Sequence, residues 1–576
     1  MKTLRIPLLT LLLGAALPAL SPAAPAASAA ANACVPRDEV DDHVRAGRVL
    51  LEAGKAREAQ AVFERAVALD DSFGVAMWVY LARAAQGQIN DCLDELQELR
   101  RSGVEGPDMD YCRGMIHARL AENLLASATP GNAVQMNMLD ALGYLKKATE
   151  ADPERYRDAF LPLARAAWFN QDLPAARAAA EQAIEHYPEK PEAWYQLGRV
   201  ALSQYSGAQQ DPERAEEAEA HWSRAREAFD RAVELYGEPE TPAGRRGLAE
   251  AAFQLGYVHA WKQDTESAAA AFTLAMGWDP SAVAFDQLFG ILEAERYRQA
   301  LAEGAEAFRE RYGEGGNSDA TLLWWLGYLS FATGEYEAAD RAFVASVRKF
   351  PAYGNAWFYA FRSRYSQQDY PGALEALRTY WKSDPPGVIG MVQQELELNV
   401  SILEWVTSWC AREGDLGGAV FVSRVLAESQ PDNANYWNNL GLFHRDHGAG
   451  LQARYGERAS EEQRAETMDH FERSFAAYER ALELVPGHPV YLNDGAVLLH
   501  YYLERDYDEA LERYDRAAAQ AEEWLGRSDL SDEDRGLVQI ALRDARDNKR
   551  KLERKIEKEK KRRAREAEQE GGGSGS

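Results

Sequence analysis

An all-α solenoid, a stack of helix pairs sharing one continuous core, is the fold class this sequence predicts. Three observations carry that reading. Helix formers (Ala, Glu, Arg, Leu) dominate a composition that is 46% hydrophobic and 27% charged, and no window alternates apolar and polar residues between turn signals as a half-buried strand does. One pattern occurs twice between Ala320 and Gly387: Leu323, Leu326, Gly327, Ala339, Phe343, Ser346 and Pro351 return 34 residues later as Trp357, Ala360, Phe361, Ala373, Leu377, Tyr380 and Pro385. Each unit also closes on Pro, a residue that cannot continue a helix and so ends the second one.

The layout Trp-x2-Leu-Gly, then Ala-x3-Phe, then Pro, at that period, resembles the tetratricopeptide repeat. The physical logic is that small residues at the Gly and Ala landmarks let two antiparallel helices approach closely. Large ones at the Trp, Leu and Phe landmarks fill the space to the next pair. One pair cannot bury its own apolar face, so pairs must stack. The resemblance implies a right-handed superhelix whose first helices line a concave face, and a function in binding a protein or peptide segment there. It names no partner.

Taken in order, the chain opens on a targeting segment. Lys2 and Arg5 precede an apolar run from Leu8 to Leu20, and a Pro/Ala/Ser stretch ends in Ala31-Asn32-Ala33. Residues 1–33 therefore read as a secretory signal peptide, with a mature protein that is secreted or periplasmic. Cys34 follows the expected cut, where a bacterial lipoprotein would carry its lipid, although Ala31 and Asn32 depart from that pattern. No later segment reaches the roughly 18 apolar residues of a membrane span. With an oxidising compartment, one disulfide is expected among Cys34, Cys92 and Cys112, while Cys410 reads as a buried free thiol inside an apolar helix.

Repeats then fill residues 34–312. The first carries Gly47, Leu50, Ala59, Phe63 and Ala66, and residues 103–136 are the least regular part. Later units show Leu163, Ala164, Ala176 and Pro188, then Trp194, Leu197 and Gly198, then Leu255, Gly256, Ala268, Phe272 and Pro280. A polar insertion near 203–220 delays the second helix to Ala225 and Phe229; it reads as an extended helix pair or a loop. A degenerate unit around Phe289, Gly290 and Ala300 leads into a Gly-rich stretch at 313–319, the candidate flexible joint. A second array spans 320–527, with an irregular connection at 386–397 and another polar insertion at 449–469. The count is ten to twelve units. Residues 528–570 read as one helix, amphipathic through Leu537, Ile540 and Leu542 and capping the last repeat, then charged and solvated after Leu552; 571–576 is a Gly/Ser tail expected to be disordered.

On the resemblance, three positions of each first helix face the groove. They place Arg165 and Trp168; Tyr195 and Arg199; Phe253, Tyr257 and Trp261; Trp324, Tyr328 and Phe331; Phe358, Arg362 and Tyr365; and Asn438 and Arg445 there. Aromatics and Arg are the types enriched at binding hot spots. The Lys/Asn clamp that grips a C-terminal carboxylate in some relatives is not present, since its positions hold Tyr195 and Arg199, Trp324 and Tyr328, or Phe358 and Arg362. An extended or helical segment over aromatics, with Arg meeting its carboxylates, fits better. Trp194, Trp357 and Trp437 occupy the Trp landmark itself and read as core.

Other classes find less support. A net charge of −27 disfavours binding to nucleic acid. No Gly-x-Ser-x-Gly, His-Glu-x-x-His or Walker loop is present, so no enzymatic activity and no cofactor is expected. "HRDHG" at His444 to Gly448 lacks the Asn a kinase loop needs. His444, Asp446, His447 and His470 could bracket a metal, but they read as ordinary residues at a helix end beside an insertion. The alternative function is a lipid-anchored cell-envelope assembly factor on the same fold. An enzyme or metal protein with its site in an insertion is the third reading, and no motif supports it.

Overall fold

The computed structural model describes residues 37–127, 131–313 and 319–572. The signal segment, Cys34, the middle of the Gly-rich stretch and the last four residues lie outside them. Every element among the described residues is helical. The chain divides into two compact units, Met1–Gly313 and Glu314–Ser576.

In the N-terminal unit the helices form seven antiparallel pairs, from Arg37–Glu52 with Ala56–Leu69 to Phe285–Ile291 with Ala294–Tyr312. In the C-terminal unit there are five pairs, starting with Ala320–Ala332 and Tyr336–Lys349, and the helix Asp532–Gly572 closes the stack. Neighbouring pairs pack on one another within each unit. No helix of the described residues is long and apolar enough to cross a membrane.

The landmark residues explain how the two helices of a pair come close. In five pairs an aromatic ring of the second helix lies against the landmark glycine of the first. A Cβ added at Gly47, Gly198, Gly256, Gly327 or Gly441 would sit 2.3–2.7 Å from Phe63, Phe229, Phe272, Phe343 or Tyr478. Each of those five rings is fully buried. At the end of a pair the Trp landmark has a second duty. The indole N–H of Trp194 donates to the Pro188 carbonyl at 2.8 Å, and that of Trp437 to Pro431 at 2.9 Å, which satisfies a backbone oxygen left free where the preceding helix stops.

The tight turn inside most pairs uses one left-handed residue. Gly54, Gly87, Gly334 and Gly414 supply it in four repeats, but Gln171, Gln263 and Gln368 do so in three others at φ near 60°. That conformation costs a non-Gly residue roughly 1–2 kcal/mol. The next residue, Asp172, Asp264 or Asp369, accepts a backbone N–H as N-cap and offsets about 1 kcal/mol of it.

The structure resolves or corrects several sequence readings. Both polar insertions are helix: Pro191–Ala208 pairs with Ala215–Tyr236, and Ala434–Tyr455 with Glu461–Leu484, so the repeats lengthen instead of looping out. The irregular residues 103–136 fold the same way, into Pro107–Ala126 and the start of Gly131–Ala151. The connection at 386–397 holds an extra helix, Pro385–Gln394.

Cys92 and Cys112 are not joined to each other or to another cysteine of the described residues. Both are free and fully buried, with their thiols on the carbonyls of Tyr80 at 3.6 Å and Met77 at 3.7 Å. Burial pushes the Cys92 thiol up to about 11. Cys410 is likewise free, buried and pushed up to about 12. His444 is not at a helix end. It sits in the middle of Ala434–Tyr455, nearly fully buried, with its Nδ1 2.9 Å from Nδ1 of His470. On the closing helix the packed side is Val538, Ala541, Ala545 and Leu552, whereas Leu537 and Ile540 are about half exposed. The capping stripe is therefore rotated by one residue from the one the sequence offered first.

Candidate functional site

In the C-terminal unit the first helices of successive pairs meet along one aromatic face. Trp324 and Tyr328 on helix Ala320–Ala332 stack with ring centroids 5.6 Å apart. Tyr359, on the next first helix Asn355–Ser366, meets both edge-on at 5.7 and 5.9 Å. It also lies parallel to Phe343 at 5.2 Å and 5.8 Å from Phe331. Edge-to-face and offset pairs of this kind add about 0.5–1.5 kcal/mol each beyond the area they bury. Burial pushes the Tyr359 hydroxyl up to about 12, so it stays protonated and able to donate.

Arg362 continues the row. Its guanidinium lies 5.1 Å from the Phe331 ring and pairs with Glu395 at 2.5 Å, just ahead of the following first helix, Leu396–Glu413. Tyr365 reaches Trp405 of that helix at 5.8 Å, and Tyr370 reaches Trp405 and Trp409 at 4.1 and 5.5 Å. Trp324, Tyr328, Phe331, Arg362 and Tyr365 are all partly exposed. The result is a half-open aromatic strip with one cation held over it. Farther along, Asn438 and Arg445 are partly exposed too. The Arg445 side chain pairs with Asp446, and the Asn438 carbonyl oxygen is buried without a hydrogen-bond donor among the described residues.

The N-terminal unit builds a comparable row on its own first helices. Arg165 pairs with Glu122 at 2.8 Å. The Arg199 guanidinium lies 3.7 Å from the Trp168 ring and 5.7 Å from that of Tyr195. Trp168 donates its indole N–H to Ser203 at 2.9 Å. Burial pushes the Tyr195 hydroxyl up to about 12 and pulls the Arg199 guanidinium down. Trp261 packs on Tyr205 at 5.0 Å, and the Tyr257 hydroxyl bonds to Gln287.

Two sequence-placed positions are not on these faces. Phe358 is fully buried and packs on Phe361 at 5.6 Å, and Phe253 is 5% exposed between Tyr257 and Phe272. Neither can touch a ligand without the core opening.

A family model described as "Tetratricopeptide repeat" matches residues 44–89, 161–221 and 331–388. These stretches contain three of the five glycine–aromatic pairs in whole or in part: Gly47 with Phe63, Gly198 of the Gly198–Phe229 pair, and Phe343 opposite Gly327. The chain carries tetratricopeptide repeats. Such arrays are protein–protein interaction scaffolds, which makes protein its expected class of partner.

No curated protein matches the chain. Solved structures similar to it include the C-terminal part of a TPR repeat-containing protein from Cytophaga hutchinsonii, at 14% identity and TM-score 0.32, covering 56% of this chain and 99% of that one. The Cut9–Hcn1 hetero-tetramer of the APC/C is similar at 13% identity and TM-score 0.26, covering 87% and 96%. Yeast Tom70 is similar at 12% identity and TM-score 0.21, covering 90% and 99%. These superpositions are too loose for anything to be carried over from them.

Within the tetratricopeptide frame, sequence reasoning missed Tyr359, Trp405, Trp409 and Glu395, which complete the C-terminal strip, and Glu122, Ser203 and Tyr205 in the N-terminal row. Tyr205 stands seven residues after Gly198, two helical turns along one face, and could have been found by that spacing. Trp405 and Trp409 share a face by the same rule but read as plain core. Glu395 carried no signal, because its partner Arg362 lies on another helix. Among the described residues, no group of three or more His, Cys, Asp or Glu side chains is placed to hold a metal ion.

Proposed function

We propose that this scaffold works outside the cytoplasm and holds a protein or peptide segment on the first-helix face, without catalysing a reaction. One observation carries the proposal: the partly exposed strip of Trp324, Tyr328, Tyr359 and Phe331, with Arg362 beside it. Large flat rings give a ligand much contact area at low entropic cost, because each is already fixed by its neighbours. Arg362 is bound to Glu395, an exposed partner that a ligand carboxylate can displace bidentately. The strip thus suits a segment with apolar side chains and at least one Asp or Glu.

The test is paired substitution. Trp324→Ala and Arg362→Ala together are expected to weaken capture of the native partner from cell-envelope extract by at least tenfold, with the far-UV circular dichroism unchanged. Undiminished capture by a folded double variant would remove the strip from the binding surface.

Export is supported by the basic start, apolar run and small-residue end of residues 1–33. The second reading, a lipid-anchored envelope assembly factor, is supported by Cys34 standing directly after Ala33. Mass spectrometry of the mature N-terminus decides. An unmodified chain starting near residue 34 is the expected result, and a diacylated Cys34 would transfer the protein to the anchored class.

A further inference from the structure

We propose that the outward face of the C-terminal helix is a docking site for an acidic helical segment of a partner protein, separate from the aromatic strip. The helix Asp532–Gly572 carries two sets of cations with different fates. Three on the side of the repeats fasten it down: Arg546 pairs with Glu522, Lys549 with Asp515 at 2.6 Å and Lys555 with Glu504 at 2.7 Å. Leu552, fully buried, and Ile556 pack on the same side.

The other set points away. At about 100° per residue, Lys551, Arg554, Lys558, Arg562 and Arg565 fall on one face about 80° wide, across the helix from Ala545, Leu552 and Ile556. All five are exposed. Among the described residues, only Arg562 of the five has a carboxylate within ion-pair distance, Glu566 at 3.6 Å. The face runs straight for about 21 Å, and beyond Glu559 no described residue of the helix touches the body closely enough to be shielded. In a chain of net charge −27, this concentration of free positive charge has no use in holding the fold.

The composition of the face selects the partner class. No apolar residue lies on it, so it lacks the side chains that seat a helix in a lipid interface. Glu557 flanks it on one side, Glu559 and Glu566 on the other. A broad anionic surface such as a bilayer or a nucleic-acid duplex would have to meet these carboxylates as well as the cations. A second helix laid alongside meets only the seam, where Asp or Glu at i, i+4, i+7 and i+11 falls opposite the cations at the spacing of charged helix pairs.

The experiment uses the full chain and a fluorescein-labelled helical peptide with Glu on that spacing, read by fluorescence anisotropy at low ionic strength. Saturable binding that weakens at least tenfold as salt rises is expected. The double reversal Lys558→Glu/Arg562→Glu is expected to weaken it at least fivefold. Lys560→Glu/Arg563→Glu changes net charge equally but lies on the opposite side, and is expected to weaken it less than twofold. Equal losses from the two double variants would overturn the proposal. So would tighter, face-dependent binding of phosphatidylserine vesicles or duplex DNA, or sedimentation showing self-association through Lys558 and Arg562. Because all these residues are exposed, circular dichroism should be unchanged in both variants.

Discussion

Phe343→Ala is expected to destabilise the C-terminal unit by about 3–5 kcal/mol, the range for removing a fully buried aromatic ring. The ring does three things at once. It covers the Gly327 backbone, it meets Trp324 at 6.1 Å, and it lies parallel to Tyr359 at 5.2 Å. Its loss therefore opens the core under the aromatic strip, and partner binding should weaken along with stability. Gly327→Ala tests the same contact from the other side, where two effects oppose. Alanine is the better helix former by about 1 kcal/mol. Its Cβ, however, would lie 2.7 Å from the Phe343 ring, and overpacking a tight core costs about 1–3 kcal/mol. Packing should win, giving a net loss of up to about 2 kcal/mol, and the loss should shrink when Phe343 is also changed to Leu. Urea unfolding of the four proteins measures the coupling. A stabilising Gly327→Ala would mean that the helices of the pair do not approach as closely as the structure has them.

Acidification to pH 5 is expected to destabilise the C-terminal unit before its carboxylates titrate fully. Burial pulls His444 down to about 3, with the neighbouring His470 imidazole acting in the same direction. Burial also pulls His488 and His500 down to about 4, and lowers His447 and His470. The charges of Arg424, Arg473, Asp469, Glu466, Arg454 and Asp415 reach the His444 cluster; those of Lys555, Lys551 and Glu504 reach His500, and that of Asp534 reaches His488. The sign follows from the unfolded value near 6.5. Above it neither state binds a proton at these rings and the stability is fully present. Below it the unfolded chain takes protons that the folded one refuses, so stability falls as pH drops towards the folded values.

For His444 and His500, only 3% and 2% exposed, the loss by pH 5 is about 2 kcal/mol each. Asp494 works against this: burial raises its carboxyl to about 6, and protonating it there returns about 1 kcal/mol by pH 5. The histidines prevail, leaving a net loss of about 2–3 kcal/mol between pH 7.5 and 5. Tryptophan-monitored urea unfolding at the two pH values measures it, and His444→Asn/His500→Asn should flatten the slope whatever its effect at pH 7.5. A midpoint that is constant across this window would refute the account. The histidines concerned were visible in the sequence, but their burial was not. His444 read as a helix-end residue because a polar insertion follows it in the sequence.

The sequence by itself determined the repeat and its chemistry. Gly327 and Phe343 stand 16 residues apart in one unit and Gly256 and Phe272 stand 16 apart in another, because a helix, a tight turn and a helix always return the chain to the same height. That contact is local, so period and residue type suffice to read it. The existence of the closing helix was legible too, through its Ser531 start and its amphipathic first turns. Tertiary structure alone decided which residues face outward. Phe358 and Tyr359 are adjacent on one helix, about 100° apart, and either could have joined Trp324 and Tyr328 by spacing. The structure buries Phe358 on Phe361 and leaves Tyr359 on the strip. The choice between Leu537 with Ile540 and Val538 with Ala541 was the same kind of one-residue rotation. A helix carries its pattern in its own sequence, but the hollow that receives one stripe and not the next belongs to its neighbours, and no spacing within a single helix records it.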